Sequence, residues 1–246
     1  MILSRKNIRK IEKIFFSQNP APLFKKNENF QGGEQILINN SFYADKFCFG
    51  ELNPNKIFYI IKRSPGAGLF SNLTFVLNHL KIAKENNYIP FVDMQEYPSI
   101  YNESSKIYNT NNSWEYFFEN VSNFSLKEIY KSKNVIITKN NFNDSFSLWI
   151  DKDKSLIELL RNDIKFRKHI LNTYNRINTN YFDKKNVLGI HFRGTTYKNS
   201  AGHPLPATKK QIYNLIKKVL KTEKVDFIFL STEEKNYLMI YLTHII

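Results

Sequence analysis

Apolar residues in this chain come in short dense runs, each followed by a stretch at helical spacing. Lys56-Ile-Phe-Tyr-Ile-Ile-Lys62 is a β-branched and aromatic run with a lysine at either end, the pattern of a buried strand. After Arg63-Ser-Pro-Gly-Ala-Gly68 the apolar positions fall at Leu73, Val76, Leu77, Leu80 and Ala83, which predicts a helix over 70–85. Tyr88 to Met94 predicts a second strand. A strand, glycine turn, helix and strand in this order implies a parallel pair joined by a right-handed crossover. The same rhythm returns later in the chain. Val187 to Phe192 is an apolar run, and Lys198 to Ala207 is a loop holding Gly202, His203, Pro204 and Pro206. Thr208 and Gln211 are spaced as a capping box before a helix faced by Ile212, Leu215, Ile216 and Val219. Val225 to Leu230 predicts the strand that follows.

Between and around these units the pattern is looser. Residues 17–56 read as irregular, with a turn at Gln31-Gly32-Gly33 and short strands near Gln35 to Ile38. Residues 95–113 form a polar loop, followed by short helices at 114–118 and 125–131 and a third strand at 134–138. Leu156, Ile157, Leu160, Ile164, Phe166 and Ile170 predict one long helix over 153–177. The boundary that follows it divides the chain into an N-terminal acceptor-side domain over 1–180, with its linking helix, and a second domain over 181–246. Ser231 and Glu234 are spaced as another capping box, for a helix through Leu242. A two-stranded parallel unit cannot bury both its faces, and the chain stops in the apolar run Tyr241 to Ile246. The expectation is a truncated C-terminal half, with completion of the sheet by another chain as the alternative.

Composition narrows the class. At 246 residues with 42% hydrophobic and 15% aromatic residues, the chain can build a core. The formal charge of +14 suits polyanions, anionic membrane surfaces or anionic small ligands. The lysines are scattered, however, and accompany abundant Asn and Ile, a joint bias expected of AT-rich codons, so no nucleic-acid partner is expected. Cys48 is the single cysteine, which excludes an internal disulfide. The basic start, Met1 to Ser17, interleaves Ile8, Ile11, Ile14 and Phe15 with charges and lacks the apolar core of a signal peptide. No stretch reaches the roughly 18 apolar residues of a membrane span. The expected location is cytoplasmic, with a short amphipathic segment at 5–16 available for peripheral contact with the inner membrane surface.

The candidate chemistry gathers at Val187-Leu-Gly-Ile-His-Phe-Arg-Gly-Thr-Thr-Tyr197. Alternation along a strand projects His191 and Arg193 to one face at its carboxyl end, where open α/β sheets bind ligands. Arginine suits bidentate phosphate capture, Gly194 lets backbone amides approach, and Thr195 and Thr196 add hydroxyl donors. Two readings stand side by side: a phosphate site, or an arginine paired with an acid beside a core histidine. Gly66 and Gly68 are similarly open, serving either a tight strand-to-helix turn or the approach of amides to a ligand at the helix N-terminus.

Leu188-Gly-Ile-His-Phe-Arg-Gly-Thr-Thr196 resembles the His-x-Arg-x-Thr-Asp strand motif of GDP-fucose-dependent fucosyltransferases, the superfamily of the α1,6-, nodulation and protein O-fucosyltransferases. Two further segments fit in order. Gly66-Ala-Gly-Leu-Phe-Ser-Asn-Leu73, which includes Asn72, resembles their Gly-rich turn, and Phe229-Leu-Ser-Thr-Glu-Glu234 resembles a downstream strand ending in Thr-Asp-Asp. The resemblance implies an α/β fold of GT-B type, two Rossmann-like halves facing across a cleft, here with an incomplete C-terminal half. It implies a metal-independent glycosyltransferase that moves a sugar, fucose from GDP-fucose or a related donor, to a glycan acceptor, with no cofactor. It also assigns roles. Arg193 contacts the diphosphate and stabilises the departing GDP, and His191 is a donor-site or orienting residue. Gly194, Thr195 and Thr196 line the donor site, Gly66, Gly68 and Asn72 border the cleft, and Thr232 and Glu233 lie near the nucleotide.

The chain departs from that pattern in two places. Thr196 stands where the motif ends in aspartate, and Glu233-Glu234 replaces Asp-Asp. For the general base an inverting transfer needs, the candidates are Asp93, Glu96 and His203; a strand-end cap for Asp93 and a plain loop histidine for His203 are the alternatives. The competing functions are an inactive remnant and a basic nucleic-acid-binding protein, the latter requiring lysines and aromatics clustered on one face.

Overall fold

The computed structural model describes residues 33–38, 42–62, 68–139, 154–192 and 207–232. They form two compact units that divide between Arg167 and Lys168. The first holds β1 (Glu34–Ile38), β2 (Phe42–Phe47), β3 (Phe58–Ile61), α1 (Leu69–Glu85), β4 (Ile89–Val92), α2 (Leu126–Ile129), β5 (Val135–Thr138) and α3 (Lys154–Asp163). The second holds α4 (Lys168–Ile177), β6 (Val187–Phe192), α5 (Lys209–Thr222) and β7 (Phe227–Thr232).

In the first unit one sheet runs in the order β1-β2-β5-β3-β4. β3 lies between β4 and β5 and is parallel to both; the pairing with β4 is the one that the strand-helix-strand pattern predicts. All four residues of β3 are buried, because helices and loops cover both faces of a parallel sheet. Tyr59 and Ile61 join Leu73, Val76, Leu80 and Ala83 of α1 on one side, while Phe58 and Ile60 join Phe91, Ile129 and Ile137 on the other. Each such side chain contributes about 1.5–3 kcal/mol by leaving water.

Two features differ from the sequence reading. The segment read as irregular contains a second strand, β2, which pairs antiparallel with both β1 and β5. Among its described side chains Ala44 is buried and Tyr43, Asp45, Lys46 and Phe47 are exposed or half-exposed, so no buried apolar run announces it. The long helix is two helices. At 164–167 the backbone turns away to pair with 117–119: Glu119 N–H donates to the Lys165 carbonyl at 2.7 Å, and Arg167 N–H to the Phe117 carbonyl at 3.0 Å. Those groups are no longer available to a helical ladder, and the Phe166 ring instead packs at a tilt against Phe118, with centroids 5.2 Å apart. Ile164 and Leu159 then enter the core of the first unit. The compact units therefore part thirteen residues ahead of the predicted boundary after residue 180, at 167.

The segment 94–113 is polar but tightly bonded. Asn112 accepts from the Met94 amide at 3.0 Å and donates to the Val92 carbonyl at 2.7 Å. Asn102 accepts from the Ser99 amide and donates to the Met94 carbonyl. Asn53, Asn87 and Asn109 occupy left-handed backbone positions, which asparagine tolerates better than most residues. Part of the asparagine bias thus has structural work beyond codon usage.

In the second unit β6 and β7 pair in parallel, Val187 opposite Phe227 through Phe192 opposite Thr232. α4 continues into a π-helical turn, Asn178–Phe182, whose Phe182 meets the Phe227 and Phe229 rings at 6.2 and 5.4 Å. Thr208 and Gln211 form the predicted capping box at the start of α5. Ser231 and Thr232 belong to β7, because pairing with His191 and Phe192 extends the ladder through them, and Glu234, the other half of the second predicted box, lies outside the described residues. The helix expected beyond Glu234 lies outside the described residues.

Candidate functional site

The carboxyl end of the β6–β7 pair carries the chemistry that the second unit displays. The register sets His191 opposite Ser231 and Phe192 opposite Thr232, so two segments forty residues apart meet at one sheet edge. Alternation puts Gly189 and His191 on one face with Phe229 and Ser231, and on the other face Phe192 is buried. His191 is exposed, and a Cβ at Gly189 would meet nothing within 4 Å. Arg193, Gly194, Thr195, Thr196, His203 and Glu233 lie outside the described residues, as does Gly66. Thr232 is described, half-buried at the last position of β7.

In the first unit Gly68 is the N-cap of α1, with φ −65° and ψ 159°. Any residue adopts that conformation, and a Cβ there would meet nothing within 4 Å. The backbone of residue 68 itself therefore does not require glycine, while the rest of the turn lies outside the described residues. The first amide of the helix is already engaged: Leu69 N–H donates to the Tyr101 hydroxyl at 2.8 Å. Asn72 is buried one turn into α1, its amide donating to the Gly68 carbonyl at 2.9 Å.

A second cluster occupies the carboxyl edge of the first sheet. Asp93, directly after β4, is fully buried. Its Oδ1 accepts from the amides of Gln95 and Glu96 at 3.0 and 2.9 Å, and its Oδ2 from the Tyr130 hydroxyl at 2.8 Å. Burial pushes the Asp93 carboxyl up from 3.8 to about 6, against the opposing pull of those three hydrogen bonds. Tyr130 also interacts with Tyr97, which links the carboxyl and the two phenols in one cluster. Burial, then the Asp93 charge, raises the Tyr97 hydroxyl to about 12, and burial raises Tyr130 further. The Lys62 ammonium sits 4.4 Å over the Tyr97 ring, and Lys139 pairs with Asp45 at 3.0 Å. Of the three candidates for a general base, Asp93 serves as the strand-end cap and Glu96 accepts from the Gln95 side chain at 3.1 Å. The tyrosine pair escaped sequence reasoning because Tyr130 lies 37 residues from Asp93, and nothing local marks a phenol for a carboxylate that only the fold delivers.

Among the described residues, no group of three His, Cys, Asp or Glu side chains could hold a metal ion, and no helix is long and apolar enough to cross a membrane.

The sheets and helices of the two units make an α/β fold, and its GT-B-like kind is shown by its likeness to a solved fucosyltransferase structure. The crystal structure of NodZ alpha-1,6-fucosyltransferase soaked with GDP-fucose matches with a TM-score of 0.51 at 15% identity, over 76% of this chain and 74% of that one. A crystal structure of fucosyltransferase NodZ from Bradyrhizobium gives a TM-score of 0.49 at 16% identity, over 76% and 75% of the two chains. At such identities the likeness is one of fold, and the first of the two carries it. No family model and no curated protein matches the chain.

Proposed function

We propose that this chain is a glycosyltransferase that uses a nucleotide sugar, fucose from GDP-fucose, and transfers it to a glycan acceptor without a metal ion. One observation carries the reading: within a fucosyltransferase-like fold, β6 and β7 align so that the strand leading into Arg193 ends beside the strand leading into Glu233. The open Cβ position at Gly68 also fits the close approach of a ligand in the first unit.

In this reading the acceptor hydroxyl attacks the anomeric carbon, the bond to the diphosphate oxygen breaks, and the electron pair leaves with GDP. Arg193 meets the charge that develops on the diphosphate, aided by hydroxyls from Thr195 and Thr196 and the amide after Gly194. His191 orients the diphosphate from the same strand, and Thr232 and Glu233 border the nucleotide. Gly66 and Asn72 belong to the acceptor side. Glu96 and His203 are the candidates for removing the proton of the acceptor hydroxyl, since Asp93 is sealed from solvent.

Calorimetric titration with GDP tests the donor site. The wild-type chain is expected to bind, and Arg193→Ala to weaken binding by roughly tenfold to a hundredfold, the loss of one charge-assisted pair. An absence of GDP binding, or equal binding by both proteins, overturns the reading.

A further inference from the structure

We propose that the outward face of α5 is a docking surface for an anionic phospholipid bilayer. The helix, Lys209–Thr222, carries Lys209, Lys210, Lys217, Lys218 and Lys221 and no acidic residue between its ends. Its inward side is short: Ile216 is buried, and Ile212 and Val219 are half-buried on the same side. At 100° per residue, Lys210, Lys217 and Lys221 fall within one narrow stripe opposite that side, with Lys218 next to it, and all four are exposed. Lys217 stands 4.5 Å over the Tyr213 ring, which holds its stem against the helix and leaves its charge outward. Leu215, 58% exposed, and Leu220, 39% exposed, flank the stripe on either side.

The scattered lysines of the sequence thus become, on this one element, a directed cationic face rimmed by apolar side chains. Four or more Lys or Arg on an amphipathic helix is the composition that anionic headgroups attract, and rim leucines reach the headgroup boundary. A nucleic acid fits the same face less well. All the cations are lysines, which lack the bidentate fork of arginine, and no exposed aromatic ring on the helix offers a base a platform.

Flotation with vesicles tests the surface directly. The full chain is expected to float with phosphatidylcholine vesicles that contain about one third phosphatidylglycerol, to stay behind with phosphatidylcholine alone, and to be released by roughly 0.5 M salt. The variant Lys217→Gln/Lys218→Gln/Lys221→Gln is expected to bind the anionic vesicles about a hundredfold more weakly, roughly fivefold per lysine. Glutamine keeps the helix propensity, so unchanged far-ultraviolet dichroism shows that this variant is folded. A charge-matched control, Lys106→Gln/Lys127→Gln/Lys131→Gln, takes three exposed lysines from the first unit and is expected to bind as the wild type does. Equal losses in the two variants would assign the binding to net charge and overturn the proposal. So would binding to neutral vesicles, or the absence of vesicle binding beside tight binding to single-stranded RNA that the α5 substitutions abolish. Unchanged titration of the α5 variant with GDP keeps this surface separate from the donor site.

Discussion

Asp93→Asn isolates the electrostatics of the first unit. The wild-type carboxyl is fully buried and its pKa stands at about 6, raised from 3.8 chiefly by burial. The folded protein therefore holds this proton more tightly than the unfolded chain does. The resulting stabilisation is complete below pH 3.8 and is lost as the pH rises through about 6. A difference of about two pH units corresponds to roughly 3 kcal/mol between the two ends of that window. Asparagine has the same shape, its Oδ1 can accept the two amides that Asp93 accepts, and it does not titrate. Urea unfolding followed through the buried Trp114 measures the effect. With a slope of about 2 kcal/mol per molar urea, the wild-type midpoint is expected to fall by roughly 1.5 M relative to the variant between pH 4 and pH 7.5. A wild-type midpoint that stays level with the variant across this range, or gains on it as the pH rises, would refute the assignment of a buried, neutral-leaning carboxyl at Asp93.

Tyr130→Phe removes the hydroxyl that donates to Asp93 at 2.8 Å and so takes away one bond that holds the carboxyl pKa down. The pH at which stability is lost is expected to move up, which the same urea series reads as a transition midpoint above that of the wild type. In the second unit, Thr208→Ala deletes the hydroxyl that accepts from the Gln211 amide at 3.3 Å, half of the capping box of α5. It is expected to cost about 1 kcal/mol locally, seen as faster hydrogen exchange across the first turn of that helix.

Local pattern was enough to find β3, α1, β4, β5, β6 and α5, because each is either a dense apolar run or a helix with an apolar side. It was also enough to propose that the strand after Asn186 and the strand after Lys224 lie side by side, since a helix of this length between two strands returns the chain parallel to its start. The α5 capping box was legible for the same reason: its two side chains and two amides lie within four residues.

What the tertiary structure decided are the matters that depend on distant backbone. β2 carries no apolar run, and its place comes from ladders with β1 and β5. The helix predicted over 153–177 divides because the amide of Arg167 and the carbonyl of Lys165 find partners in 117–119, and hydrogen bonds to a remote segment outweigh a weak local preference. β7 runs through Ser231 and Thr232 because His191 and Phe192 lie opposite them. The properties of Asp93 were decided in the same way. The sequence shows an aspartate after a strand; the fold removes it from water and brings Tyr130 and Tyr97 to it, and desolvation with hydrogen bonding then sets its proton affinity. Spacing along the chain encodes elements, because their hydrogen bonds are local. Burial and charge belong to the assembled unit, because the groups that supply them arrive from elsewhere in the chain.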